Sequence, residues 1–318
     1  MNVLSLFDGI SCGLVALKRN QIPIAKYYAC EIDKNAIKVS KINHPEIIHL
    51  GNVCELKTIP EIDLLIGGSP CTDLSIANKN REGLKGNQSK LFWEYVRILK
   101  ESNPKYFILE NVNSMTKENK KIITDTLGVE PVMIDASLVS AQTRKRLFWT
   151  NLPVLGLPID RKIYIQDVLE SVKDFVIIGR EIGRHLNDEG KREDKPEIPI
   201  TRRIEIRKDN KSGTLTCVAK DNLVVGCSLR GRLEDDKWVN KIELRKDQKV
   251  SALTSAVSSK LALILNKDHI RRLTPIECER LQGLPDNYTS MIANSQRYKC
   301  LGNAFNVDVI CFILEHIR

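Results

Sequence analysis

The sequence predicts an α/β fold: a doubly wound, mostly parallel sheet with helices on both faces and a smaller inserted region. Three observations predict it. Up to Thr150, short β-branched or aromatic runs alternate with amphipathic stretches. After Asn151 the texture turns to Pro and Gly punctuation, charge clusters and short β-like runs. From Arg271 the helix signals return. The expected division is therefore a main α/β body over 1–150, an insert over 151–270, and a return to the body over 271–318.

Taken in order, the strand-like runs are Val3–Phe7, Tyr27–Glu31, Ile47–Leu50, Asp63–Ile66, Tyr106–Glu110, Val132–Ile134 and Leu147–Thr150. The clearest helix spans Ser89–Ser102, because Phe92, Val96 and Leu99 recur at helical spacing and Pro104 closes it. Within the insert, the polar stretch Leu186–Glu197 reads as an exposed loop. Lys211–Thr216 is echoed by Lys249–Thr254, which suggests two similar strand pairs framing one surface. Thr274-Pro275-Ile276-Glu277 is a capping box with Pro at the first helical position, and Gly283 is a natural stop. Phe305–Ile317 is apolar enough for a helix packed on the main body.

Composition narrows the classes. No apolar run approaches the ~20 residues that a membrane span needs, and Val3–Phe7 is too short for a secretory signal, so a soluble, cytoplasmic chain with no membrane partner is expected. The nine cysteines form no C-x-x-C pair and offer neither a disulfide framework nor a metal cluster, so reduced thiols and no metal are expected. The 49 Lys and Arg against 40 Asp and Glu leave +9, a modest excess that permits a polyanionic partner without requiring one.

Four places carry chemistry. The first strand runs into Asp8-Gly9-Ile10-Ser11-Cys12-Gly13, a glycine-bearing turn into a helix that lets a ligand approach the backbone, and the second ends in Glu31, placed as the acid that meets ribose hydroxyls in nucleotide-binding sheets. The fourth leads through Gly67-Gly68-Ser69-Pro70 to Cys71, a thiol presented at a strand's carboxyl end. The fifth ends in Glu110-Asn111-Val112, a carboxylate at the same rim. In Gln142-Thr143-Arg144-Lys145-Arg146 the alternation of an extended strand aims Arg144 and Arg146 to one side.

In this order and spacing the pieces resemble the DNA cytosine-5 methyltransferases. The resemblance covers the α/β part and the C-terminal return, with Leu273-Thr274-Pro275 through Pro285 and Gly302-Asn303-Ala304 as the late motifs. The wording around Cys71 is similar to the animal de novo branch, and Asn52 stands where the family usually has Asp. The resemblance implies a mixed sheet of the S-adenosylmethionine-dependent methyltransferase type with an inserted target recognition domain. It implies S-adenosylmethionine held by Phe7, Asp8, Gly9, Ile10, Cys12, Glu31, Ile32, Asn52, Val53, Asn303, Ala304 and Phe305. Double-stranded DNA is the implied partner, the chain acting as a monomer or weak homo-oligomer of prokaryotic or viral origin. Ser75 is implied as a DNA contact, and the basic cluster Arg202, Arg203, Arg207, Lys208 and Lys211 suits phosphates.

The chemistry demands these residue types. Carbon 5 of cytosine is a poor nucleophile until a thiolate adds at carbon 6, which is the role of Cys71. Glu110, where a closed pocket keeps it protonated, can donate at N3 and stabilise the electron density the ring gains. Arg144 and Arg146 keep their charge and, by resemblance, hold the O2 side and the surroundings of the nucleophile. Two alternatives belong to other classes: a catalytically inactive DNA-binding or regulatory relative, which would have lost the nucleophile or an arginine, and an RNA cytosine-5 methyltransferase.

Overall fold

A computed structural model describes residues 1–70, 91–170, 177–185, 200–206, 211–212, 223–225, 228–234, 237–243 and 270–317. The body is built from β1 (Asn2–Leu6), α1 (Cys12–Arg19), β2 (Lys26–Cys30), α2 (Lys34–Asn43), β3 (Ile48–Gly51), β4 (Leu64–Gly68), α3 (Leu91–Ser102), β5 (Tyr106–Val112), α4 (Lys117–Leu127), β6 (Val132–Asp135) and β7 (Lys145–Thr150). Every strand expected in this half forms. The sheet order is β3-β2-β1-β4-β5-β7-β6, parallel except that β7 runs antiparallel between β5 and β6.

Strands covered on both faces read as unbroken apolar runs, and β4 shows why: Leu64, Leu65 and Ile66 are all fully buried. Truncating any one to Ala would cost about 2–5 kcal/mol. On one face of the sheet α3 packs through Phe92, Tyr95, Val96 and Ile98. On the other, α1 lies against the C-terminal helices, Cys311 Sγ donating to the Ala16 carbonyl at 3.7 Å and Asn20 Nδ2 to the Cys311 carbonyl at 2.7 Å.

Beyond β7 the strands are β8 (Ile177–His185), β9 (Ile200–Ile206), β10 (Leu223–Val225), β11 (Ser228–Glu234), β12 (Lys237–Glu243) and β13 (Ile270–Arg272). They form a four-stranded sheet in the order β13-β10-β8-β9 and a separate β11-β12 hairpin. The chain does not leave the body at 151. Leu152, Ile165, Val168 and Leu169 are buried in the same apolar cluster as Val3 and Ile310, so departure lies beyond Glu170. The loop expected at Leu186–Glu197 and most of the repeated segment fall outside the described residues.

Helices α5 (Pro275–Leu281), α6 (Asn294–Asn303) and α7 (Val307–Leu314) return to the body. The capping box forms as expected: Glu277 N donates to Thr274 Oγ1 at 3.2 Å, and Thr274 N to Glu277 Oε2 at 2.8 Å. Gly283 adopts φ +73°, and a side chain there would collide with the Asp308 carboxylate. The last helix is shorter than expected, because Asn306 Oδ1 caps Val309 N at 3.1 Å and starts it after Phe305.

Candidate active site

The strand order reverses between β1 and β4, and in such sheets the crevice opens past the carboxyl ends of those two strands. A cleft of about 660 Å³ lies there. Its floor is the turn after β1. Phe7, Gly9 and Ser11 all take left-handed backbone angles, φ +57°, +59° and +64°, a strained path for the two non-glycines that the surroundings hold in place. Ser11 Oγ donates to Asp8 Oδ2 at 2.5 Å, and Tyr27 Oη to Asp8 Oδ1 at 2.7 Å. Burial raises the Asp8 carboxyl to about 6 despite those donors.

Glu31 ties the turn to the end of β2. Its Oε2 accepts from Gly9 N at 2.8 Å, while Oε1 accepts from Ile32 N and Asp33 N at 2.7 and 2.8 Å. Three of about four acceptor positions are spent on backbone, and one on Oε2 is left for a ligand hydroxyl. Ile32 stands 70% exposed over the cleft. Past β3, Asn52 Oδ1 caps the short helical turn by accepting from Cys54 N at 3.1 Å, and its Nδ2 donates to Glu55 at 3.2 Å.

The opposite wall comes from β4, β5 and β7. Gly68 pairs with Glu110 in register, and a side chain at Gly68 would strike the Phe305 ring at 2.7 Å and crowd Glu110 at 3.2 Å. Asn111 Nδ2 donates to the Ser69 carbonyl at 3.2 Å and to Ser69 Oγ at 3.1 Å, fixing the segment that leads through Pro70 to Cys71. Cys71 itself lies outside the described residues, as do Ser75, Arg207 and Lys208. Arg146 Nε donates to Glu110 Oε1 at 2.8 Å. Arg144 is buried, and its guanidinium donates to the carbonyls of Gly302 at 3.3 Å and Ala304 at 2.9 Å. Both arginines line the cleft, as the alternation predicts.

Of the expected cofactor residues, Phe7, Gly9, Ile10, Glu31, Ile32, Asn52, Val53 and Asn303 line the cleft. Asp8, Cys12 and Ala304 do not. They are buried behind it, because the left-handed turn points Asp8 at Tyr27 and puts Cys12 inside the first turn of α1. Phe305 lines a small adjoining hollow with Glu110, Arg144 and Arg146 instead. Burial raises the thiols of Cys12, Cys30, Cys278 and Cys311, Cys30 to about 12 and Cys311 to about 11, which makes them packing groups. Lys211, expected to meet phosphate, is buried: Nζ donates to the Ser137 carbonyl, lies 4.0 Å from Asp160 Oδ1 and 5.6 Å from the Tyr164 ring centroid. Sequence reasoning missed Asn111 as the brace of Ser69. It also missed Lys299, which lines the cleft and bonds Asp33 at 2.6 Å; a lone lysine in a helix carries no signal of that.

A profile of C-5 cytosine-specific DNA methylases matches residues 1–318. The chain belongs to that family. Its relatives include the Type II methyltransferase M1.ScrFI of Lactococcus lactis subsp. cremoris, 28% identical over 98% of this chain and 77% of that one. The orphan methyltransferase M.SPRI of Bacillus phage SPR is 33% identical over 46% of this chain and 37% of its own length. Among solved structures, the Dnmt2 methyltransferase of S. pombe is 18% identical with a TM-score of 0.57, over 99% of this chain and 98% of that one. Likeness at that identity speaks for the fold, and the mixed seven-stranded sheet of this methylase agrees with it. Among the described residues of this methylase no helix is long and apolar enough to cross a membrane.

Proposed function

We propose that the chain methylates carbon 5 of a cytosine flipped out of double-stranded DNA, with Cys71 as nucleophile and S-adenosylmethionine as methyl donor. The carrying observation is that Glu110, Arg144, Arg146 and the Ser69-Pro70 lead to Cys71 share one cleft with the turn after β1. The cleft fits the cofactor in its donor set: a carboxylate with an unspent acceptor position at Glu31, an exposed apolar plate at Ile32, and backbone approachable at Gly9 and Gly51. S-adenosylmethionine, when bound, supplies an electrophilic methyl group. Phe7, Gly9, Ile10, Glu31, Ile32, Asn52, Val53 and Asn303 would hold it, and no metal is called for by the reaction.

Each remaining step belongs to the chain. The Cys71 thiolate adds at carbon 6 of cytosine, and carbon 5 becomes enamine-like. Glu110 meets N3 and Arg146, already paired with Glu110, neutralises charge that develops on that side of the ring. Extracting the base from the duplex costs roughly a few kcal/mol, which contacts from the insert repay. We assign target recognition to the part of the insert beyond Glu170, with Arg202 and Arg203 of β9, and their sequence neighbours Arg207 and Lys208, as phosphate contacts; Ser75 is assigned to the DNA near Cys71. Bisulfite sequencing of DNA from cells expressing the chain tests the reading: protected cytosines should recur in one short sequence, and none at all would overturn it.

A further inference from the structure

Lys211 and Ser212 fold back onto the body beside the arginine strand. Ser212 is fully buried; its N donates to the Ala141 carbonyl at 2.9 Å, and Thr143 N donates to the Ser212 carbonyl at 2.9 Å, so the pair brackets Gln142. Lys211 closes the same joint from the other side, Nζ on the Ser137 carbonyl with Asp160 and the Tyr164 ring around it. The loop so clamped leads directly into Arg144. Arg144 N donates to Asp135 Oδ1 at 2.9 Å, and its guanidinium reaches the Ala304 carbonyl beside the cofactor cleft.

We infer that Lys211 is a positioning residue that fixes the insert against Arg144 and Arg146, so that DNA gripped by the insert is presented squarely to the cleft. This rests on the reading of the site given above. An ammonium half-enclosed by a carbonyl, a carboxylate and an aromatic face has direction in all three, which a mobile surface lysine lacks. Reacting groups misplaced by about 1 Å can cost up to 10²-fold in rate, so a loosened joint should appear in turnover rather than in affinity.

The test compares wild type, Lys211→Met and Lys211→Arg in kcat and KM on DNA, in the salt dependence of DNA binding, and in hydrogen exchange over residues 137–147. Lys211→Met should lower kcat about tenfold, leave DNA affinity within about twofold and the salt slope unchanged, and speed exchange at the Thr143 amide. Lys211→Arg, which still donates to Ser137 and stacks on Tyr164, should recover most of the rate. A salt slope lower by about one with kcat intact would make Lys211 a phosphate contact and overturn the inference. Unchanged exchange, or faster exchange with unchanged kcat, would overturn it too. A wild-type chain that transfers nothing to DNA overturns the function instead, and the exchange of residues 137–147 then decides the joint alone. Should Lys211→Met not fold, Tyr164→Leu must show the same loss of kcat and protection, in smaller measure, or the inference fails.

Discussion

Arg146 Nε stands 2.8 Å from Glu110 Oε1, with both side chains largely buried on one wall of the cleft. The pair couples the two groups assigned to the target ring. A guanidinium cannot give up its charge, so whatever proton Glu110 shares with N3 is exchanged beside a fixed cation. Glu110→Gln keeps size and hydrogen bonding but leaves Arg146 without its anion. We expect kcat to fall by roughly 10²-fold or more, with cofactor affinity little changed. A variant retaining a tenth of wild-type kcat would remove Glu110 from the chemistry.

Asp8 gives a pH signature. Its carboxyl is raised by burial from 3.8 to about 6, so the folded chain holds a proton that the unfolded chain has released. The contribution to stability is therefore complete below pH 4 and is lost as pH rises to 6, a swing of about 3 kcal/mol at most. Asp8→Asn should flatten stability against pH between 4 and 6, read as urea midpoints. An unaltered profile would show that Asp8 ionises freely.

Glu279 is wholly buried and accepts from Arg297 Nη2 at 2.9 Å, Asn287 N at 2.7 Å and Thr289 N at 2.8 Å, pinning the turn between α5 and α6. Removing one partner of a buried pair costs about 3–5 kcal/mol because the other charge is stranded. Arg297→Met should lower stability by about 3 kcal/mol, the two amides retained by Glu279 placing it at the low end. A loss under about 1 kcal/mol would mean that the pair is dispensable.

How much of this was legible depends on what a residue's neighbours decide. The seven strands of the body could be read because each is a short apolar run closed by a turn, and strand ends in such a sheet gather the ligand residues; Glu31 and Glu110 follow from that, whereas Asn303, at the end of α6, came only from the resemblance of Gly302-Asn303-Ala304 to a family motif. Asp8 and Cys12 could not be separated from Gly9 and Ile10, since the left-handed angles at Phe7, Gly9 and Ser11 decide which side chains face in, and a residue list does not show them. Lys211 failed for a different reason. Grouping it with Arg202, Arg203, Arg207 and Lys208 treats every basic residue of the cluster as solvated, whereas the seating of Lys211-Ser212 against Ala141 and Thr143 buries this one.

Arg202 and Arg203 lie in β9, whose backbone pairs them with Gly183 and Ile182 of β8. As phosphate contacts they should act through released counterions. Replacing both by Glu should weaken DNA binding and lower the slope of log affinity against log salt by about two, while cofactor binding, measured by titration calorimetry, stays put. An unchanged slope would turn this strand away from DNA.

The covalent route is tested at Cys71, because addition at carbon 6 must be undone by removing the proton from carbon 5 once the methyl group is in place. Fluorine at carbon 5 cannot leave as a cation, so elimination stops. Duplex DNA carrying 5-fluorocytosine at the target should accept one methyl group and remain joined to the protein, giving a band that survives denaturant and requires S-adenosylmethionine. Cys71→Ala should give no band and no turnover while binding cofactor as before, and Glu110→Gln should give the band far more slowly. The buried thiols of Cys12 and Cys278 serve as controls: their Ala variants should still form the band, since burial keeps both protonated. If active protein methylates ordinary DNA but never traps on the fluorinated target, the thiolate does not add to the ring, and transfer to a nitrogen of the base becomes the better account.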